Sequence, residues 1–269
     1  MIPAKFEYIK ASSVSEALSL LNKHGDEAQL LSGGHSLIPA IKLRLNQPKM
    51  VVDIGKIPGL DNISEEGNNI VIGANCTHHQ IATSSVVQGG VNVLAQTAKE
   101  IGDIQVRNKG TIGGSLAHAD PAADYPAVIL ASGAKIEVEG SGGKRTIDAT
   151  DFFMGIFETA LEDNEMIIAI HIPKSSGGVY LKFSQPASRF AVVGCAAIKN
   201  DNGVSIGLTG VADCAYRASA VESAYNGDAK AAAAHAVDGI EVMSDNFASS
   251  EYRAHLAKVY TERALNALA

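Results

Sequence analysis

The sequence predicts an α+β protein of three consecutive units: two α/β subdomains over residues 1–56 and 57–174, then a C-terminal α+β domain over residues 179–269 with a small antiparallel sheet and helices. Three observations predict it. The opening segment alternates short apolar runs with a capped helical pattern, the order of a small α/β unit. The stretch "PKSSGG" then interrupts the chain with a proline, two glycines and serines between them, a linker composition. Beyond it, two apolar runs flank Asp201-Asn202-Gly203, a hairpin signal.

In the first unit "KFEYI" reads as a strand. In "SSVSEALSLLNKHG", Ser12 or Ser13 can cap a helix that Gly25 ends. "AQLL" is a short strand that runs into a Gly33-Gly34 turn. Ser36 stands where an N-cap would for "LIPAIKLRL", with Pro39 tolerated in the first turn, and "KMVVDI" is the next strand. In the second unit "ISEEGNNIVIGAN" reads as two strands around a polar turn. "VNVLAQTAKEIG" has apolar residues at helical spacing, "AKIEVEGSGGKRTI" is a hairpin with a Gly/Ser tip, and "EMIIAIHIP" is a strand that stops at Pro173. The third unit holds the hairpin "VVGCAAIKNDNGVSIGLTGVA", a helix at "AKAAAAHA" and a last helix whose Tyr252, Leu256, Val259 and Tyr260 are expected to share a core face.

A chain of 269 residues with 46% hydrophobic content can bury a sizeable core. Its formal net charge of −7 argues against nucleic acid as the partner. No apolar run is long enough to span a bilayer and the N-terminus lacks a signal-peptide core, so the expected location is the cytoplasm. Cys76, Cys195 and Cys214 are odd in number, widely spaced and without a CxxC pair. They form no disulfide framework and cannot supply the four ligands of an ordinary iron–sulfur cluster.

Chemistry concentrates in two glycine pairs. Ser32-Gly33-Gly34-His35-Ser36 combines permissive backbone with a following helix start, a combination suited to a diphosphate or, equally, to a plain strand-to-helix turn. The second pair, Gly113-Gly114, is bracketed by Thr111 and Ser115, with His118, Asp120 and Asp124 downstream. Two such loops can clamp one extended dinucleotide. The GxGxxG fingerprint and the P-loop are both absent, which directs the reading to FAD held outside a Rossmann frame. His118, Asp120 and Asp124 are metal-ligand types at a spacing that matches no common site, and Asp124 can also be read as the cap of "YPAVILAS". His78 and His79 are expected in surface or capping roles.

The segments "SGGHSLIPAIKLRL", "IGDIQVRNKGTIGGSLAHADPAADYPA", "YLKFSQPASRFAVVG" and "SSEYRAHLAKVYTERAL" together resemble the FAD-binding medium subunit of molybdenum-containing hydroxylases, of the carbon monoxide dehydrogenase type within the xanthine dehydrogenase FAD-domain superfamily. The resemblance implies two FAD-binding subdomains of the vanillyl-alcohol-oxidase (PCMH) kind and a C-terminal flavoprotein domain. It implies that Ser32, Gly33, Gly34, His35, Ser36 and Leu37, with Thr111, Ile112, Gly113, Gly114 and Ser115, hold the diphosphate and nearby FAD. It further implies that Asp124 is the flavin-side carboxylate, that Ile168 packs on the isoalloxazine and that Lys182 is a basic residue near the flavin. Tyr125 departs from the tryptophan or aliphatic residue of relatives. SGGHS also resembles a loop of covalent flavin oxidases, but the later motifs favour noncovalent FAD, with His35 contributing through its backbone. The implied role is electron transfer from iron–sulfur clusters on a small subunit to FAD, with substrate oxidised at a molybdenum cofactor on a large subunit, in a dimer of heterotrimers. Two alternatives are a self-contained FAD-dependent oxidase or dehydrogenase and a non-enzymatic nucleotide-binding module.

Overall fold

The structure is a computed structural model that describes residues 2–200 and 203–268. In the first unit β1 (Glu7–Lys10), α1 (Val14–His24), β2 (Ala28–Leu31), α2 (Leu37–Lys42) and β3 (Met50–Asp53) fold in sequence order, and the strands pair in parallel as β1-β3-β2. Ser13 caps α1 by accepting from Glu16 N–H, and Gly25 ends it at a φ of 52°. Helix α2 is shorter than its apolar pattern: Arg44, two residues beyond its end, takes a φ of 59° and stops the turn. Ser36 occupies the N-cap position but its side chain caps nothing.

The second unit opens with the antiparallel pair β4 (Ile63–Glu66) and β5 (Asn69–Gly73). Six helices follow: α3 (His78–Thr83), α4 (Ser85–Gly90), α5 (Asn92–Glu100), α6 (Ile104–Arg107), α7 (Ile112–His118) and α8 (Tyr125–Ser132). The hairpin β6 (Lys135–Gly140) and β7 (Gly143–Asp148), helix α9 (Ala149–Phe152), the small pair β8 (Phe153–Gly155) and β9 (Glu158–Thr159), and β10 (Met166–Pro173) complete it. The five long strands pair antiparallel in the order β4-β5-β10-β6-β7. Strand β10 therefore lies in the centre of the sheet although it is the last of the five in sequence.

The linker is short. Strand β10 ends at Pro173 and β11 (Gly177–Ser184) begins the third sheet, which continues through β12 (Ala191–Asn200), β13 (Gly203–Thr209) and β14 (Tyr216–Arg217). Asn200 pairs with Gly203 as the hairpin signal requires, while Asp201 and Asn202 lie outside the described residues. Helices α10 (Ser219–Ala224), α11 (Ala229–Ala233) and α12 (Ser250–Leu268) cover this sheet. The buried stripe of α12 is Arg253, Leu256, Ala257, Thr261, Ala264 and Leu265; of the expected face Leu256 is buried, Tyr260 packs against the core half-buried, Val259 is half-buried and Tyr252 is exposed. Arg253 enters the core because its guanidinium has buried acceptors. Nη1 donates to Val192 O at 2.6 Å and Gly210 O at 2.5 Å, and Nη2 pairs with Asp245 at 2.7 Å. Helix α8 is apolar all round, and it is buried on all sides, packed against α5, α7, β12 and β13. Among the described residues no helix is long and apolar enough to cross a membrane.

Candidate functional site

One cleft, with a volume of about 500 Å³, gathers both glycine loops, the Asp120–Asp124 segment and the Ser188–Phe190 loop of the third sheet. The first loop leaves β2 at Leu31. Gly34 takes a φ of 76°, the left-handed region that favours glycine, and its carbonyl accepts from Ile38 N–H at 3.0 Å to start α2. This turn leaves the N–H groups of Gly33, Gly34, His35 and Ser36 without an acceptor among the described residues, and all four residues line the cleft. Successive uncommitted N–H groups make an anion-binding concavity.

The second loop does a different job. Its N–H groups are largely consumed by the protein: Ile112 N–H donates to Cys76 O at 3.0 Å and Gly113 N–H to Ala74 O at 2.9 Å. Thr111 caps α7 by accepting from Gly114 N–H. A Cβ on Gly113 would stand 2.6 Å from Ala74 Cβ, and one on Gly33 only 2.2 Å from Lys109 O. These two glycines permit close approach of chain to chain. Gly114 is different: a Cβ there would meet only Thr111 Oγ1, at 2.8 Å, so its open side faces the cleft. A hydroxyl chain joins the loops. Asn75 Oδ1 can only accept, so Ser32 donates to it at 2.6 Å and accepts in turn from Thr111 at 2.9 Å.

Asp124 is buried at the cleft and is not a helix cap, since its side chain accepts from no helix N–H. It accepts instead from Tyr180 Oη at 2.5 Å and pairs with Lys182 Nζ at 2.9 Å. Burial raises its pKa, and the Lys182 ammonium and Tyr180 hydroxyl act against that rise. Lys182, whose side chain is 3% exposed, does not line the cleft; it stands behind Asp124 and donates to the carbonyls of Glu100 at 2.9 Å and Arg189 at 2.7 Å. Thr209 Oγ1 lies 2.8 Å from Pro121 O and 2.7 Å from Ala123 O, so the third sheet holds the Asp-bearing loop in place.

The expected residues thus come together with two exceptions besides Lys182. Ile112, the first residue of α7, is wholly buried and does not line the cleft. Ile168 is the extra residue of a bulge in β10; its side chain packs in the cluster of the first unit, and Ile167 takes the cleft wall in its place. His35 and Ser36 line the cleft and are exposed. His118 also lines it, with its ring 4.9 Å from that of Phe157, while among the described residues no His, Cys, Asp and Glu group is placed to hold a metal. Sequence reasoning missed His78, expected in a surface or capping role. It is 5% exposed, lines the cleft, and burial drives its pKa down to about 3. Its neighbour His79 is exposed. Thr77 caps α3 with a full capping box, a signal legible in "THHQ" that would have placed His78 at a helix start.

Residues 4–175 match the family described as the FAD binding domain in molybdopterin dehydrogenase. Over its length the chain is 41% identical to the carbon monoxide dehydrogenase medium chain of Hydrogenophaga pseudoflava, covering 99% of this chain and 98% of that one. It is 35% identical to the 6-hydroxypseudooxynicotine dehydrogenase complex subunit alpha of Paenarthrobacter nicotinovorans, covering 98% and 95%. A solved structure of carbon monoxide dehydrogenase from Hydrogenophaga pseudoflava superposes with a TM-score of 0.95 over 100% of this chain and 98% of that one.

Proposed function

The chain belongs to the FAD-binding family of molybdopterin dehydrogenases, and from that premise we propose that it is the electron-transfer flavoprotein subunit of a molybdenum hydroxylase complex. The observation that carries the reading is the run of N–H groups from Gly33 to Ser36, without an acceptor among the described residues, on a cleft large enough for a dinucleotide. A Cβ at Gly114 would intrude on that cleft, so the residues present suit FAD. Ser32, Gly33, Gly34, His35, Ser36 and Leu37 bind the diphosphate, and Thr111, Gly114 and Ser115 form the facing wall. Ile112 and Gly113 act from beneath by fixing that wall to the Ala74–Cys76 segment. Asp124 offers a carboxylate to the flavin side, with Lys182 and Tyr180 holding it, and Ile167 provides the apolar contact expected of Ile168. Bound flavin accepts electrons singly and passes them on singly or in pairs.

Partners follow from the family. An iron–sulfur small subunit delivers electrons and a molybdenum large subunit oxidises the substrate, carbon monoxide, a purine, an N-heterocycle or an aldehyde; the assembly is a dimer of heterotrimers. The subdomain limits 1–56, 57–174 and 179–269 are supported by the three larger sheets, one to each unit, although the cores run across them: Tyr180, Ala196, Ile198 and Ala215 join the core of the second unit and Met166 that of the first. Two buried, unbridged cysteines suit the reducing cytoplasm. The test is to isolate the tagged chain from its native cell and assay iron, molybdenum and flavin. We expect two partner subunits with both metals, and flavin reduction by the large subunit's substrate. A lone, metal-free protein that turns over an organic substrate at full rate would replace this reading with the self-contained oxidase.

A further inference from the structure

We infer that His78 is a further ligand-binding residue of the cleft: its imidazole, held by Tyr125 in the tautomer protonated at Nε2, donates a hydrogen bond to an oxygen in the diphosphate–ribose part of the dinucleotide. This rests on the FAD reading above. Tyr125 is fully buried, and the partner of its hydroxyl among the described residues is His78 Nδ1, at 3.2 Å. If that hydroxyl accepted instead of donating, its own proton would be buried without a partner. The hydroxyl therefore donates, Nδ1 accepts, and the neutral ring carries its proton on Nε2. Burial, with His35 and Arg107 nearby, keeps the ring neutral.

Nε2 has no partner among the described residues. It lies beside Gly110, where a Cβ would stand 2.5 Å from it; the absent side chain leaves the donor uncovered. His78 and Gly110 both line the cleft, and Gly33 packs on the Lys109–Gly110 backbone at the same point. The Nε2–H thus joins the uncommitted N–H groups of the first loop where the two glycine loops cross. A set of N–H donors with no acceptor among them suits an anionic, oxygen-rich segment and not an apolar ring.

The test titrates full-length apoprotein, freed of flavin, with FAD and with ADP, and reads the His78 tautomer from imidazole nitrogen-15 shifts. The expected wild-type ring carries its proton on Nε2. His78→Phe is expected to weaken both ligands about tenfold or more, and His78→Gln, which keeps an N–H donor, to recover most of the loss. Tyr125→Phe is expected to weaken both severalfold although the hydroxyl it removes does not line the cleft, because only a tautomer effect reaches the ligand from there. Thermal melting of each apoprotein checks folding; if His78→Phe fails to fold, Tyr125→Phe and the shifts decide. Unchanged affinity in the folded variants, or a proton on Nδ1, overturns the inference. Wild-type apoprotein that binds neither FAD nor ADP overturns instead the FAD reading beneath it.

Discussion

Gly33 and Gly114 stand in one cleft for opposite reasons, and substitution separates them. A methyl at Gly33 would lie 2.2 Å from a backbone carbonyl, so Gly33→Ala is expected to cost the apoprotein several kcal/mol, as overpacking does. Gly114→Ala puts its methyl 2.8 Å from the Thr111 hydroxyl, so loosening of the α7 cap, at about 1 kcal/mol, offsets a gain in helix propensity of up to about 1 kcal/mol. Its apoprotein is therefore expected to melt close to wild type while FAD affinity falls about tenfold or more; equal flavin occupancy would remove Gly114 from the site. His78 gives a pH signature. Its pKa drops from 6.5 in the unfolded chain to about 3 in the fold, so between those values the unfolded chain binds the extra proton. Stability therefore falls as pH drops below 6.5, by about 1.4 kcal/mol per unit from this residue. Urea unfolding at pH 7 and pH 5 is expected to show a smaller loss for His78→Gln than for wild type. A parallel loss in both would mean that the ring is solvated.

Strand β11 holds Asp124, the residue before α8, through the buried Lys182 ion pair and the Tyr180 hydroxyl, and elements elsewhere depend on Lys182. Lys182 also fastens the Glu100 end of α5 and the Arg189 loop by their carbonyls. Lys182→Met leaves a buried carboxylate unpaired and is expected to cost about 3–5 kcal/mol in urea unfolding. Adding Asp124→Asn should restore part of that loss; strictly additive losses would show that the pair does not couple these elements. The elements themselves were largely legible. Ser13, Gly25, Gly102 and the Gly140–Gly143 hairpin act where local chemistry placed them. Helices α3, α4, α6 and α7 escaped although Thr77, Ser84, Asp103 and Thr111 cap them locally, because each is only four to seven residues long; the rest of what escaped was set by contacts distant in sequence. The bulge at Ile168 arises from pairing between strands far apart in the chain, and a shift of one residue moves the cleft side chain from Ile168 to Ile167. His78 is buried by residues near positions 110 and 125, and Arg253 by a carbonyl of β12 and one just past β13, so neither burial shows in a local pattern.

At the scale of the whole molecule, the third sheet is part of the site. It supplies Tyr180 and Lys182 to Asp124, clips the Asp120–Asp124 loop through Thr209, and lends Ser188, Arg189 and Phe190 to the cleft wall. The glycine motifs made the nucleotide region readable from sequence, whereas the contribution of the third sheet was visible only at Lys182. A chain truncated before β11 is accordingly expected to lose tight FAD binding; full affinity in the truncated chain would confine the site to the first two units. Noncovalent FAD in this cleft can be measured directly. The native, complex-bound protein is denatured, the chain is removed by filtration, and the flavin in the filtrate is identified and quantified against protein. FAD is expected in the filtrate, equimolar with this chain. A filtrate without flavin would contradict it: flavin left on the denatured chain would mark a covalent bond, to His35 first of all, and flavin in neither fraction would mean that the cleft holds something else.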